Sequence, residues 1–485
     1  MLGRHLLGYL PVQAAQAIVG FGSVAVFTRL MSAEAYGSYA LTLAALTLTH
    51  IVTFTWLDAA IARFHARADA RKRLKDHLTT AYGIYVALAL VGTVVIFGAI
   101  HLAPISDAYK AIFSFAAISL ITRAALQIGL ETHRASGDVA RYSALEAGYL
   151  MLGFMIGVGL LMLTDLGASG IFIGTAVAAI IALVFDLPVM LRRARGGKAQ
   201  PVRARTYARY GSAVSLSLVF EHLLSVGDRF LIAAFLGSGA VGMYAAGYGL
   251  ADRLLDIIFI WFGAAVWPMT LKAFETQGPE AARKLAGQAA SLMALISFPA
   301  AAGLALVAEP LTTLIVGESV RSEAAVILPW IALSGLLNGM MTYYFHEAFT
   351  IKRRSGFMAF LMAGAALLNL VLNLVFIPMF GIVGAAYATV LAYLISLVIC
   401  AIVGRGLFPL PLPWGDWVKA ATATIVMTAG VFAMPDLPMA WLDLAGKALS
   451  GAVIYIAAAY AFNIAECRTW LSDFNKNHLR PETSS

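Results

Sequence analysis

Residues Ser225 to Trp261 read SVGDRFLIAAFLGSGAVGMYAAGYGLADRLLDIIFIW. The stretch is apolar enough to lie in a bilayer, yet Asp228 and Arg229 precede its glycine-rich turn and Asp252, Arg253 and Asp256 follow it. A charge at membrane depth costs about 2.5–3.5 kcal/mol on insertion scales, so such groups face a cavity or a partner. The stretch also echoes the N-terminal region. Gly242-x-Tyr244-Ala245 followed by Phe259-x-Trp261 repeats Gly37-x-Tyr39-Ala40 followed by Phe54-x-Trp56, each position displaced by 205 residues. A duplicated membrane scaffold follows, with Asp252, Arg253 and Asp256 in one copy only: they fall on Thr47, Leu48 and Ile51 of the other.

The rest of the chain has the composition of a polytopic membrane protein. Of 485 residues, 61% are hydrophobic and 12% charged, where a soluble protein carries about 25% charged residues. Apolar runs beyond about 18 residues indicate spanning segments, and their lack of strict alternation selects helices over a barrel. The expected fold is all-α, with fourteen spans near 6–29, 38–62, 79–101, 109–131, 143–163, 169–190, 211–236, 240–270, 287–308, 325–349, 356–378, 382–404, 416–434 and 441–464.

The net charge of +8 follows from Lys and Arg collected in alternate loops, such as Arg67 to Lys75 and Arg192 to Arg209. That asymmetry places both termini in the cytoplasm and makes nucleic acid an unneeded partner. The run Arg67 to Lys75 reads as a solvated cytoplasmic face. Cys400 and Cys467 offer neither a disulfide framework nor metal spacing.

Further repeats fix the domain plan. Leu166-Gly167-x-x-Gly170 with Thr175 returns as Phe380-Gly381-x-x-Gly384 with Thr389, displaced by 214. Ser119, Arg123, Gln127 and Glu131, each four apart, return as Ser334, Asn338, Thr342 and His346. Six spans return the chain to its starting side, so the two copies share one orientation. The expected domains are a lobe over 1–190, a basic linker over 191–210, a second lobe over 211–405, an extra helical pair over 406–464 and a cytoplasmic tail over 465–485.

No phosphate-binding glycine loop, HExxH or nucleophile elbow is found, and the loops are too short for a separate catalytic domain. The candidate chemistry is intramembrane polarity. Arg29, Arg123, Arg229 and Arg253 are candidates for an anion-binding cavity between lobes. Asp58, Glu221, His222, Asp228, Asp252 and Asp256 are candidates for charge balance or ion coupling, Glu221 and His222 as a proton-coupling pair. The competing reading of these groups is snorkelling ends and interhelical ion pairs. Asn369 and Asn373 read as hydrogen-bonding glue between helices.

Two six-span lobes plus a helical pair resemble the polysaccharide-export (Wzx-type) flippases of the multidrug/oligosaccharidyl-lipid/polysaccharide exporter superfamily. The residues carrying the resemblance are Leu30-Met31-Ser32-x-x-x-Tyr36-Gly37-x-Tyr39, Val226-Gly227-Asp228-Arg229 with Gly242-x-Tyr244, and Pro378-x-x-Gly381-x-x-Gly384-Ala385-Ala386-x-Ala388-Thr389. The resemblance implies two lobes in alternating access, moving an undecaprenyl-diphosphate-linked oligosaccharide from the cytoplasmic to the periplasmic leaflet of a bacterial inner membrane. Its implied partners are that lipid, membrane lipids and other polysaccharide assembly proteins. It implies no cofactor beyond proton or sodium coupling. Guanidinium suits a diphosphate because its planar fork matches phosphate oxygens. A cation-coupled multidrug exporter, a lipid II flippase and a membrane glycosyltransferase or polymerase are the alternatives.

Overall fold

Hydrocarbon offers no water to backbone N–H and C=O groups, so each apolar stretch must satisfy them internally. The computed structural model, which describes residues 8–468, does so with helices throughout. In chain order these are α1 (Leu10–Leu30), α2 (Ala33–Thr53), α3 (Thr55–Ala70), α4 (Leu74–Leu102), α5 (Asp107–Ala135), α6 (Val139–Leu163), α7 (Ala168–Ala194) and α8 (Pro201–Leu236). They continue as α9 (Ser238–Gln277), α10 (Pro279–Leu306), α11 (Ala308–Ile315), α12 (Glu318–Met340), α13 (Glu347–Ile351), α14 (Ser355–Leu407), α15 (Trp414–Phe432) and α16 (Ala440–Phe462). A π-helical turn, Met341–Phe345, links α12 to α13. The described residues divide into two compact units, one ending at Met243 and the other starting at Tyr244.

Among the described residues, eleven helices are long and apolar enough to cross a membrane. Within the described residues each of the fourteen expected spans falls mainly on helix, but the count of fourteen is not reached. Three reasons are visible. The expected span over 416–434 is the 19-residue α15, which carries Asp416 and Lys419 near its start and is not among the eleven; the expected span over 38–62 is broken at Phe54, where φ is −117°, and only its α2 part is counted. In α8 the apolar run is interrupted by Glu221, Asp228 and Arg229. Conversely α14, with 53 residues, contains two expected spans separated by Gly381. A straight helix would hold residues 20 apart at a distance of about 30 Å. Asn369 Nδ2 nevertheless donates to Thr389 Oγ1 at 3.5 Å, so the chain folds back on itself at Gly381. Pro268 and Pro299 lie inside α9 and α10.

The internal repeat is present in the backbone. Gly381 has φ 63° and ψ −142°; its counterpart Gly167 has φ 52° and ψ −135°. This conformation is essentially restricted to glycine, which explains why the residue recurs. Beyond the turns, Thr175 hydrogen-bonds Ser119 at 2.8 Å, and Thr389 meets Asn369. Asn373 Nδ2 donates to Asn369 Oδ1 at 2.9 Å on the same arm and so orients Asn369, the residue that meets Thr389 across the hairpin. The Gly-x-Tyr repeat is itself a crossing: a Cβ on Gly37 would lie 1.7 Å from the Ser238 carbonyl oxygen and 2.8 Å from the Gly242 nitrogen. Small residues let two backbones approach where no hydrophobic force between helices exists in lipid.

In the first unit, Leu57, Ile61, Ala81, Ile128, Met190 and Tyr207 form a buried cluster joining α3, α4, α5, α7 and α8. In the second, Ala294 of α10 packs with Ala420, Met427, Tyr455 and Ala459 of α15 and α16, anchoring the C-terminal pair. Apolar side chains also cover the outside. Along α4, Val86, Leu90, Val91, Val94 and Val95 are all exposed, with Val94 at 75%. So large an apolar outer surface suits lipid and not water.

Candidate functional site

The first unit contains a continuous polar chain along α5. Residues four apart share a helix face, so Ser119, Arg123, Gln127 and Glu131 line one stripe. Arg123 donates through Nη1 to Glu146 Oε2 at 2.7 Å and through Nη2 to Glu146 Oε1 at 3.0 Å. Its Nη2 also donates to Gln127 Oε1 at 2.7 Å. Gln127 Nε2 continues to Glu131 Oε1 at 3.0 Å, and Glu131 Oε2 accepts from Arg134 Nη2 at 2.6 Å. The Arg123 guanidinium lies 4.4 Å from the centre of the Tyr149 ring. A fork onto a carboxylate plus an aromatic face fixes the group in orientation as well as position. Asp58, 9% exposed, is 3.5 Å from His50 and lies within electrostatic reach of Arg123 and Glu131.

A second cluster continues toward the C-terminal end of α5. His133 Nε2 is 2.8 Å from Asp186 Oδ1, and both residues are fully buried. Asp186 Oδ1 also accepts from Arg141 Nε at 2.8 Å, and Arg193 Nη2 reaches Asp138 Oδ2 at 3.2 Å. Glu146, His133, Arg141 and Asp186 are absent from the candidates read from sequence. The signal was available, since Glu146 and Asp186 both lie within expected spans. What sequence could not supply was the pairing of α6 and α7 with α5.

The other candidates fall into two neighbourhoods. In the first unit, Arg29 is exposed at the end of α1. Asp228 is 1% exposed in α8, with Arg229 half-buried beside it. His222 shares an Nε2 hydrogen bond with the Ala44 carbonyl at 3.1 Å, tying α8 to α2, whereas Glu221 is exposed. Adjacent helical residues point about 100° apart, so these two groups do not face each other. In the second unit, Asp252 and Arg253 are half-buried and Asp256 is exposed on α9. Arg123 is therefore joined directly to Glu146 and through Gln127 to Glu131, with Asp58 in electrostatic reach, while Asp252, Arg253 and Asp256 belong to the other unit.

The second unit also has an apolar groove of about 500 Å³ between α9, α10, α15 and α16. Leu254, Ile258, Leu304, Val431, Ala452 and Ile456 line it. Lys447 at its margin is held by Asp436 Oδ1 at 2.7 Å and Asp443 Oδ2 at 2.8 Å.

Comparison with known proteins agrees with this architecture. Residues 26–324 match the family described as polysaccharide biosynthesis protein. A curated relative, the probable flippase AglR of Haloferax volcanii, is 22% identical over 365 residues, covering 74% of each chain. Among solved structures, the lipid II flippase MurJ in an inward closed conformation is similar at TM-score 0.75 and 13% identity, over 94% of this chain and 99% of that one. An inward-facing multidrug resistance MATE family transporter of the MOP superfamily is similar at TM-score 0.68 and 14% identity, over 80% and 94%. The two solved structures establish the fold; the family match covers most of the sequence. The chain is a multi-pass helical membrane protein with a fold similar to those of the solved flippase and transporter structures, and it belongs to the polysaccharide biosynthesis protein family.

Proposed function

We propose that this protein is a non-enzymatic flippase that carries a polyprenyl-diphosphate-linked oligosaccharide from the cytoplasmic to the periplasmic leaflet of a bacterial inner membrane by alternating access. The product would serve surface polysaccharide biosynthesis, with both termini cytoplasmic. The observation that carries this reading is membership of a polysaccharide biosynthesis family on a transporter fold. A sugar-diphosphate head cannot cross hydrocarbon alone, whereas its isoprenoid chain can remain in lipid beside the protein. Guanidinium groups at membrane depth, with Arg123 held by Glu146, suit the diphosphate. The groove along α15 and α16 offers apolar surface to an isoprenoid chain. In this reading Arg29, Arg123, Arg229 and Arg253 meet the anion, and Asp58, Glu221, His222, Asp228, Asp252 and Asp256 balance charge or couple a proton or sodium ion.

A second reading, a cation-coupled multidrug exporter, is favoured by the carboxylates Asp58, Glu131 and Glu146 gathered in one unit. One assay separates the two. Vesicles reconstituted with the protein and a defined lipid-linked oligosaccharide should show protein-dependent transfer of the sugar to the opposite leaflet, measured by enzymatic trimming from outside, with and without ion gradients. Absence of protein-dependent transfer, together with resistance to cationic dyes on expression, would select the exporter.

A further inference from the structure

The basic run after α3 is more than a solvated face, because the fold turns part of it into the rim of a pocket. Arg67 and Arg71 are four apart at the end of α3, hence on one side. The helix closes with Arg73 N–H bonded to the Ala68 carbonyl and Lys72 N–H to the Asp69 carbonyl, both at 2.8 Å. Lys72 takes the left-handed position, φ 57°, usually given to glycine in this type of turn. The chain thus reverses at once, and Arg73 precedes the first turn of α4.

Arg203 joins them from about 130 residues away. The segment before α8 is strapped to the start of α4. Asp76 accepts from the Lys198 backbone N–H at 2.9 Å and from Gln200 Nε2 at 3.0 Å. A Cβ on Gly197 would lie 2.3 Å from the Lys75 carbonyl oxygen, so only glycine permits this approach.

The result is a pocket of about 250 Å³ lined by Arg67, Arg71, Arg73 and Arg203 above Phe64, His77 and Tyr207. Its floor is rigid. His77 is fully buried and hydrogen-bonded through Nδ1 to the Tyr207 phenol. Tyr207 in turn stacks on Phe64, with ring centres 5.5 Å apart. When the phenol donates to Nδ1, the neutral ring carries its proton on Nε2, a buried atom with no hydrogen-bond partner of normal geometry, although the Ile61 carbonyl approaches the ring. Among the described residues, none of the four arginines pairs with a carboxylate.

Four guanidinium groups around one concavity repel one another until an anion enters. The volume lies below the roughly 300–1,000 Å³ of drug-sized sites and matches the size of a headgroup phosphate with its immediate substituents. Its composition, Arg with aromatic side chains beside a spanning helix, matches recognition of a lipid phosphate at a membrane surface.

We infer that the pocket formed by α3, the start of α4 and the start of α8 binds the phosphate of an anionic lipid headgroup at the face marked cytoplasmic by its Arg and Lys content. This holds whether the transported molecule is a lipid-linked sugar or a drug. Both a bulk phospholipid and a prenyl diphosphate present the required chemistry. The full chain is purified, exchanged into phosphatidylcholine nanodiscs doped with phosphatidylglycerol, and its retained lipid is measured by native mass spectrometry. Wild type is compared with Arg67→Gln/Arg71→Gln, with Arg203→Gln, and with Lys352→Gln/Arg353→Gln as a control in the other unit.

Phosphatidylglycerol retention should fall about 5-fold for each pocket guanidinium removed and about 30-fold for the pair, with phosphatidylcholine retention and the control unchanged. Arg67 and Arg71 are exposed, so their replacement leaves the packed helices intact; unchanged thermal unfolding in pure phosphatidylcholine verifies this. Displacement of phosphatidylglycerol by farnesyl diphosphate identifies a prenyl diphosphate as the preferred lipid; resistance to it identifies the bulk phospholipid. Equal retention by wild type and both pocket variants, or occupancy by inorganic pyrophosphate in the absence of any lipid preference, would overturn the inference.

Discussion

Replacing Glu146 with Gln isolates the pair that holds Arg123. Glu146 is 5% exposed, and the Arg123 side chain 23%, so the carboxylate is inside the unit while the guanidinium retains partial access. Removing one member of a buried pair costs about 3–5 kcal/mol, because the other charge is left without compensation. Gln keeps the shape and one acceptor, and hydrogen bonds to charged groups contribute about 1.5–3 kcal/mol. We therefore expect Glu146→Gln to destabilise the protein by about 2 kcal/mol, a factor of about 30 in the unfolding equilibrium. Arg123→Gln should cost a similar amount, leaving Glu146 unpaired. The double variant should cost less than the sum of the singles, with a coupling of about 2 kcal/mol. Denaturant unfolding of the purified protein in detergent gives the three stabilities, and the leaflet assay gives the three transport rates. If Arg123 meets the anion, the double variant regains stability but not transport. Coupling within about 0.5 kcal/mol of zero would refute the reasoning about the pair. Recovery of transport in the double variant would make Arg123 a strut that positions its neighbours.

Four glycine substitutions test the scaffold. Gly381→Ala and Gly167→Ala should each cost about 1–3 kcal/mol from backbone conformation alone, because a Cβ at either position meets nothing within 4 Å; unchanged thermal midpoints would contradict the conformations described. Gly37→Ala places a methyl 1.7 Å from the Ser238 carbonyl and should abolish the folded, monodisperse species in fluorescence-detected gel filtration. Gly83→Ala, in open space within α4, should instead stabilise by up to about 1 kcal/mol through helix propensity; equal behaviour of these two variants would show that the α2–α9 crossing is not close.

Much of the architecture was legible because lipid leaves the chain few options. Long apolar runs must be helices, and a Gly-only conformation at Gly167 makes the same residue recur at Gly381. Where the reading failed, the cause was local. Phe54 interrupts a run whose composition alone suggests one continuous span. The polar stripe of α5 was also readable, since spacing of four places Arg123, Gln127 and Glu131 on one face.

What composition and spacing determined was helical class, membrane embedding, duplication and which charges are costly enough to need partners. The tertiary structure decided who those partners are. Arg123 found Glu146 on α6, Asp186 drew together His133 and Arg141 from two helices, and Arg203 came to Arg67 and Arg71 across about 130 residues. The physical reason is that helical periodicity fixes the direction of a side chain relative to its own helix. It does not fix which other helix, tens of residues away, that direction meets.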